Sequence, residues 1–502
     1  MTATPASGGQ IARGAAWMMG FKLFDKSIGL ISTLILARVL TPADFGLVAM
    51  ATAVVAMLEL MGAFGFDSAL IQRQNTERKH YDTAWTFNVI FGIAVASLLL
   101  LLAVPAAGFY REPRLELMLP ALAAGAFVGS FENIGTVAFR KDLNFSMEFK
   151  FLLAKRLASF AVTVSLALAY RSFWALIAGI VTGKLIAVVI SYLLHPYRPQ
   201  ITLAARTDLL HFSKWIFISN VIQFLHSRST DFILGRTVGV HGLGVYNIAT
   251  EIAVMPSTEL VAPLNRAVYP AYSRLAVAPN MLRERFLEIF GIICLIAIPV
   301  ATGLYCLSNL VVSVLLGPQW QDAAPIMQIA GLAGLVGALQ SNMYLVILAM
   351  GQPKANTVLS ASILAVTLPA VVIASLKYGV LGAAYAHFAS SLLGFVGIVV
   401  VFSRVTGTSV RCLLTPMLRP LLASGAMALT LQVSLEIMND YSASVPGFAR
   451  LLTLVTIGVI CYVLSILAFS VVAGRPESAE RTLLKTFRKW FLTVYRGYLK
   501  ST

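Results

Sequence analysis

Charged side chains are scarce in this sequence: Asp, Glu, Lys and Arg make up 12% of its 502 residues, whereas hydrophobic residues make up 58%. An average soluble domain carries about 25% charged residues, so the composition excludes an ordinary soluble protein. Apolar runs of roughly 20 residues, the length that crosses a bilayer as a helix, recur about fourteen times. Because a segment inside the bilayer must satisfy its own backbone hydrogen bonds, these runs are predicted to be helices. The sequence therefore predicts an all-α polytopic membrane protein with about fourteen transmembrane helices.

Cysteines and catalytic motifs are scarce as well. The four cysteines stand singly, without a CxxC pair or a histidine at metal-ligand spacing, which is typical of neither a disulfide framework nor a metal site. The sequence contains no GxSxG nucleophile motif and no Walker loop, and its predicted loops are too short to assemble paired carboxylates. We therefore predict no catalytic residues, no metal and no cofactor, and we expect that the protein is not an enzyme.

The net charge is +16 at pH 7, but the positive residues are scattered among short loops. This pattern argues against a nucleic-acid partner and is typical of charges that orient a chain in a membrane. With the N-terminus placed in the cytoplasm, 24 of the 38 Lys and Arg residues fall on the inner side, 7 on the outer side and 7 within spans. Both termini are therefore predicted to be cytoplasmic. The segment 476–502 is predicted to form a basic amphipathic helix on the inner leaflet.

An internal repeat organises the predicted helices. The stretch ILARVLTPADFGLVAMA at 35–51 aligns without gaps with ILGRTVGVHGLGVYNIA at 233–249, an offset of 198 residues. Both stretches end an outward-running helix and begin the next, so the repeats are parallel, as in some transporters. Identical residues at equivalent positions include Arg38 and Arg236, and Gly46 and Gly244. The predicted domains are an N-lobe of six helices at 1–205, a C-lobe of six helices at 206–405, two additional helices at 406–475 and the tail at 476–502.

Charges interrupt the first apolar run, KLFDKSIGLISTLILARVL at 22–40. On a helix these charges share one stripe, and the offset of 198 places a second, mostly polar stripe on the seventh helix, with Arg228 at its edge. Charged groups within a membrane usually face protein or water, so both stripes are predicted to line one central cavity. Snorkelling to the membrane surface is the alternative for the two lysines. The predicted cavity residues are Lys22, Asp25, Lys26, Asn220, Gln223, Arg228 and Asp231.

Acidic residues also occur within predicted spans. Glu59, Glu132 and Glu251 are candidate coupling residues or counter-ions for the cations, and a hydrogen bond between helices is the alternative role for each. Lys155 and Arg156 are predicted to open the fifth span, where anchoring at the membrane interface is the expected role.

Three stretches of the sequence resemble one family. Trp17 through ILARVLTPADFGLVAMA, the continuation GAFGFDSALIQRQN, and FRKDLNF between the fourth and fifth spans are similar to Wzx-type polysaccharide flippases of the colanic-acid-type branch, within the MOP (MATE-like) exporter superfamily. The resemblance implies a carrier that moves undecaprenyl-diphosphate-linked oligosaccharides across the bacterial inner membrane by alternating access, through a cationic cavity between two lobes. It implies a role in exopolysaccharide, capsule or lipopolysaccharide synthesis. Expected partners are the lipid-linked oligosaccharide, membrane lipids and polysaccharide polymerase or export machinery, without nucleic acid.

Two other functions stay open at this point. A MATE-like antiporter of small organic cations would use Asp25, Glu59 or Glu251 to carry the coupling ion, and a predominantly acidic cavity would favour it over the anionic lipid. A membrane polymerase or ligase of sugar chains would call for a sizeable periplasmic loop, whereas the predicted outer loops are short.

Overall fold

The computed structural model describes residues 8–62, 64–73, 76–441 and 446–472, so the predicted tail at 476–502 lies outside the described residues. Throughout these ranges the regular structure is helical, without a strand. The chain packs as two compact units, Met1–Val245 and Tyr246–Thr502. The all-α architecture predicted from the sequence is therefore confirmed.

The helices follow one another through short connections. The first unit contains α1 (Gly8–Val39), α2 (Pro42–Glu59), α3 (Phe66–Gln72), α4 (Arg78–Tyr110), α5 (Leu115–Gly129), α6 (Val137–Lys141), α7 (Phe145–Tyr170), α8 (Trp174–Leu194) and α9 (Arg206–Thr237). The chain enters the second unit within α10 (Gly239–Leu275). The remaining helices are α11 (Pro279–Val311), α12 (Ala323–Ala349), α13 (Pro353–Thr406), α14 (Val410–Tyr441) and α15 (Gly447–Val472).

Within the described residues, nine helices are long and apolar enough to cross a membrane. The α5 helix and the segment Ile134–Lys141, bent by 66°, form a tenth span if they are counted together. Gly379, with φ 63° and ψ −148°, divides α13 into two helices. The helices α1, α9 and α10 have 32, 32 and 37 residues, but charged and polar side chains make them less apolar. Together these segments account for the fourteen helices that the sequence predicts.

The turn between α1 and α2 follows directly from the sequence Thr41-Pro42-Ala43-Asp44. The backbone N–H of Thr41 donates to Asp44 Oδ2 at 2.9 Å, and the backbone N–H of Asp44 donates to Thr41 Oγ1 at 3.3 Å. This reciprocal capping, with Pro42 at the first helical position, is a strong helix start. At the position equivalent to Thr41, the second repeat has Gly239 with φ 74°. The two copies of the repeat therefore make this connection with different backbone conformations, extended at Thr41 and left-handed at Gly239.

The equivalent glycines of the repeat contact each other within the first unit. A Cβ atom on Gly46 would stand 1.7 Å from the carbonyl oxygen of Val240, and one on Gly244 would stand 1.8 Å from that of Pro42. Pro42 and Val240 are themselves equivalent at the offset of 198, so the contact is reciprocal. Real Cβ atoms essentially never approach another heavy atom within 3.0 Å. Only glycine therefore fits this crossing of α2 and α10, and its symmetry supports the internal repeat.

The connection between α8 and α9 lies along the start of α4. Asp82 accepts hydrogen bonds from the Tyr197 hydroxyl at 2.6 Å and from the Gln200 backbone at 2.8 Å. Further along, Thr86 Oγ1 accepts from the Thr202 backbone at 3.0 Å. Burial, followed by the hydrogen bond to Asp82, raises the pKa of the Tyr197 hydroxyl, so this group stays a donor. The extended connection is therefore held along its length by side chains of α4.

The second unit has its own core. Phe286, Phe290 and Phe402 are fully buried, with Phe286 and Phe402 ring centroids 4.4 Å apart. A buried polar network crosses the same region: Asn342 Nδ2 donates to Asn265 Oδ1 at 2.8 Å, and Tyr272 donates to Asn342 Oδ1 at 3.2 Å. Because each buried polar group has a partner, the network fixes the packing of α10 on α12.

The boundary between the packed units differs from the boundary drawn from the repeat. The first unit extends to Val245 and includes α9, which packs against α2. The repeat assigns α9 to a lobe beginning at 206. The repeat is defined by sequence duplication, whereas the packed unit is defined by contacts between residues, so the two boundaries need not coincide. The lobe boundaries drawn from the repeat stay a prediction.

Candidate functional site

The site is built on α1 and α7, which run in the same direction. At one end, the ring of Phe149 on α7 packs against Trp17 and Phe21 on α1, with centroid distances of 5.0 and 6.0 Å. At the other end, Leu36 and Ala167 belong to one buried apolar cluster. Apolar contacts at both ends therefore fix the register of the two helices, and the charged residues between them are placed by that register.

An ion pair joins the helices between these apolar contacts. Arg156 Nε on α7 lies 3.0 Å from Asp25 Oδ1 on α1, with 38% of the arginine side chain and 37% of the aspartate side chain exposed. The Nη2 atom of Arg156 lies 2.9 Å from the position that a Cβ atom on Gly29 would occupy. The guanidinium group therefore lies across the surface of α1 at Gly29, in the stripe that also carries Lys22 and Lys26.

We call Lys22, Asp25, Lys26, Gly29 and Arg156 the cationic face. Lys22 and Lys26 are exposed on α1. With Asp25 engaged by Arg156, the cationic face carries three positive charges and one negative charge. The structure thus brings the three α1 residues predicted from the sequence together with an arginine that the sequence did not predict there.

The expectation that Lys155 and Arg156 open the fifth span is wrong. Helix α7 begins at Phe145 and ends at Tyr170, so both residues lie near its middle. The chain turns just before this helix, where Leu143 has φ 56°. Asn144 was an available sequence signal for that turn, because asparagine is common in turns. Near the middle of α7, Arg156 meets an opposite charge, which anchoring at the interface does not explain.

The predicted cavity residues on α9 form a second group. Arg228 Nη1 pairs with Asp231 Oδ2 on the same helix at 3.1 Å, and Asp231 is buried while Arg228 is exposed. Asn220 is half-buried and Gln223 is exposed. Arg228 is thus partly neutralised by its own helix, and a single cavity lined by α1 and α9 stays a prediction.

A polar cavity of about 350 Å³ lies within the first unit. It is lined by Glu59, Glu132 and Asp67 together with Lys184, whose Nζ donates to Glu59 Oε1 at 3.2 Å. Glu59 and Glu132 were candidates from the sequence, whereas Asp67 was missed because it lies on the short helix α3 outside the apolar runs. Glu251 is exposed on α10, in the second unit. The cavity therefore groups two of the three predicted acids.

A lysine of the motif FRKDLNF makes hydrogen bonds to the motif GAFGFDSALIQRQN. The Lys141 ammonium group donates to the carbonyl oxygens of Leu70 at 3.3 Å and Arg73 at 2.9 Å, where α3 ends, and also to Thr76 Oγ1. A cation at the last carbonyl groups of a helix is favourable. Lys141 therefore joins the end of α6 to the end of α3.

A family profile described as "Polysaccharide biosynthesis protein" matches residues 35–325, more than half of the chain. The lipopolysaccharide biosynthesis protein WzxC of Escherichia coli strain K12 is 24% identical over 377 residues, covering 74% of this chain and 76% of WzxC. The teichuronic acid biosynthesis protein TuaB of Bacillus subtilis strain 168 is 23% identical over 483 residues, covering 95% and 98% of the two chains.

Among solved structures, the lipid II flippase MurJ in an inward closed conformation matches with a TM-score of 0.72 at 13% identity, covering 92% of this chain and 100% of that chain. At this identity the match shows a shared polytopic fold. Together with WzxC and TuaB it confirms the resemblance drawn from the three sequence motifs. The chain is a multi-pass membrane protein that belongs to the polysaccharide biosynthesis protein family.

Proposed function

We propose that the protein is a flippase that moves undecaprenyl-diphosphate-linked oligosaccharide units across the bacterial inner membrane for polysaccharide synthesis. The observation that carries this function is the cationic face on α1 and α7. A charge at the centre of a membrane helix costs ~2.5 to 3.5 kcal/mol even on the most lenient insertion scale. The cationic face gathers three cations and one carboxylate on two packed helices, and the net positive charge suits an anionic group such as a diphosphate.

The chemistry of the cationic face fits a diphosphate headgroup. Ammonium and guanidinium groups make charge-assisted hydrogen bonds to phosphate oxygens, which are roughly twice as strong as neutral ones. Alternating access, in which the two repeats rock about the binding site, would then expose the headgroup first to one leaflet and next to the other. In this mechanism the polyprenyl chain stays in the lipid, and Asn220, Gln223, Arg228 and Asp231 contact the oligosaccharide or the headgroup.

The names of the relatives support the substrate class. WzxC is a lipopolysaccharide biosynthesis protein and TuaB a teichuronic acid biosynthesis protein, so similar chains serve different polysaccharides. The common requirement across different sugars is a shared carrier headgroup. In line with this, we propose that the cationic face recognises the diphosphate and that the sugar contributes little at this position.

An antiporter of small organic cations is the weaker alternative. The observation in its favour is the polar cavity, where Glu59, Asp67 and Glu132 outnumber Lys184. The matched family and the named relatives concern polysaccharide synthesis, and the flippase accommodates the same acids as coupling residues or counter-ions. We therefore assign Glu59, Glu132 and Glu251 to ion coupling or charge balance during flipping.

The proposed setting is the bacterial inner membrane, with both termini on the cytoplasmic side, where lipid-linked units would be received. Polysaccharide polymerase or export machinery would act on the units after they are flipped. A carrier of this kind breaks no covalent bond, so we propose that the protein is not an enzyme.

Deleting the gene tests the proposed function in the cell. We expect undecaprenyl-diphosphate-linked oligosaccharide to accumulate and the polysaccharide to disappear, because units made on the cytoplasmic leaflet no longer cross. Mass spectrometry of extracted lipids checks this and identifies the sugar, and a plasmid carrying the wild-type gene is the control. Unchanged lipid-linked saccharide together with new sensitivity to organic cations would support the antiporter instead.

A further inference from the structure

Arg156 is the one guanidinium group of the cationic face, and it lies beside Asp25 and Gly29 of α1. We propose that the guanidinium group of Arg156 binds the diphosphate of the lipid carrier, and that Asp25 and Gly29 position the guanidinium group for that contact. This role rests on the proposed function and gives Arg156, within the cationic face, the specific part of distinguishing a diphosphate from a monophosphate.

The geometry leaves most of the guanidinium group available. Asp25 Oδ1 lies 3.0 Å from Nε, on one edge of the group. A guanidinium carries five N–H donors in a planar fork, and within the described residues Nε is buried without a hydrogen-bond partner although Asp25 lies beside it. Such a fork binds two oxygens of a phosphate or diphosphate at once, whereas an ammonium group acts as a point charge. Arg156 is therefore suited to orient the headgroup, and the lysines are suited to attract it.

Asp25 holds the arginine in this place. Without the carboxylate, Arg156 would lose its opposite charge while it shares this part of α1 with Lys22 and Lys26, and we expect its long side chain to turn away from the two lysines. The carboxylate lies beside Nε rather than beside the two terminal nitrogens. Its effect on substrate binding therefore acts through Arg156.

Gly29, which has no side chain, leaves room for the guanidinium group of Arg156. A Cβ atom at this position would stand 2.9 Å from Arg156 Nη2, closer than real Cβ contacts. Glycine is an unfavourable residue in a helix interior, and at this position it allows a terminal nitrogen of the guanidinium group to lie close to the backbone of α1. Alanine at position 29 would displace the guanidinium group while leaving every charge of the cationic face in place.

Binding measurements on the full chain in lipid nanodiscs test these roles. The probes are undecaprenyl diphosphate and undecaprenyl phosphate, and the readout is the ratio of their dissociation constants. We expect Arg156→Gln to weaken diphosphate binding about tenfold or more, since one charge-assisted contact is lost. Arg156→Lys keeps the charge beside Asp25, so we expect it to keep monophosphate binding and to lower the preference for the diphosphate.

Gly29→Ala separates positioning from charge. We expect it to weaken diphosphate binding several-fold, and Asp25→Asn to do the same. The matched control is Gly108→Ala on α4, where an added Cβ meets no atom within 4 Å and binding should not change. A purely structural role for Arg156 would lower thermal stability in the variants without altering the ratio between the two probes.

Two outcomes would contradict the inference in distinguishable ways. If the wild-type chain binds neither probe, the proposed function fails together with the role of Arg156. In the other outcome, the wild type prefers the diphosphate while the folded Arg156→Lys and Gly29→Ala variants keep that preference in full. In that case the proposed flippase function is retained and Arg156 is not a substrate-binding residue.

Discussion

Replacing Lys22 and Lys26 together with alanine is expected to abolish export of the lipid-linked oligosaccharide while the chain still inserts into the membrane. Both lysines are exposed on the cationic face of α1. Two charge-assisted contacts of about 1.5 kcal/mol each amount to roughly a hundredfold in binding. Insertion should persist because removing charges from a membrane helix makes the helix more apolar. The assay measures lipid-linked oligosaccharide in the periplasmic leaflet, normalised to the protein in the membrane.

Single variants separate charge from shape at this site. Lys26→Arg should keep partial transport because it preserves the positive charge, whereas Lys26→Ala should lose most of it. Lys354→Ala, which removes an exposed cation in the first turn of α13, is the control and should transport normally. Unchanged transport by the double Lys22→Ala, Lys26→Ala variant would assign both lysines to snorkelling and remove α1 from the binding site.

Adding a single methyl group at Gly46 is expected to destabilise the whole chain. The new Cβ would stand 1.7 Å from the Val240 carbonyl oxygen, so α2 and α10 must move apart. Overpacking of this kind costs about 1–3 kcal/mol. Gly244→Ala should cost a similar amount, because its Cβ meets the equivalent backbone oxygen of Pro42 at 1.8 Å. Thermal unfolding in detergent, followed by intrinsic fluorescence, measures both losses.

The control for this crossing is again Gly108→Ala. Its Cβ meets open space, and alanine is favoured over glycine in a helix by ~0.5–1 kcal/mol, so the variant should be as stable as the wild type or slightly more stable. If Gly46→Ala and Gly108→Ala unfold at the same temperature, the close crossing does not exist in solution. If only one of Gly46→Ala and Gly244→Ala is destabilised, the contact is not reciprocal and the structural support for the repeat is lost.

The fold class could be predicted from sequence because its signal is local. An apolar run of membrane-spanning length needs no partner to be recognised, and the helices lie where those runs do. The turn at Thr41 and Asp44 was equally readable, since a capping box lies within four residues. The repeat located Gly46 and Gly244 in equivalent positions, but only the structure shows that they touch.

The charged contacts could not be predicted because they join distant parts of the chain. Asp25 and Arg156 lie on different helices, and the sequence contains no signal for which faces of α1 and α7 meet. The start of α7 was also placed too late, so Arg156 was taken for an interface anchor. Asp67 was missed because the apolar runs exclude α3. Pairing between helices depends on packing, which hydropathy does not encode.

Reconstitution of the purified chain tests directly whether the protein flips a diphosphate-linked saccharide. Vesicles would contain lipid-linked oligosaccharide extracted from the deletion strain, and a membrane-impermeant glycosidase would report the fraction that is accessible from outside. Protein-free vesicles should protect the share held in the inner leaflet, and so should vesicles with the Lys22→Ala, Lys26→Ala variant. Vesicles with the wild-type chain should expose that share to the enzyme. Equal protection in wild-type and protein-free vesicles, with the chain folded and inserted, would contradict the flippase.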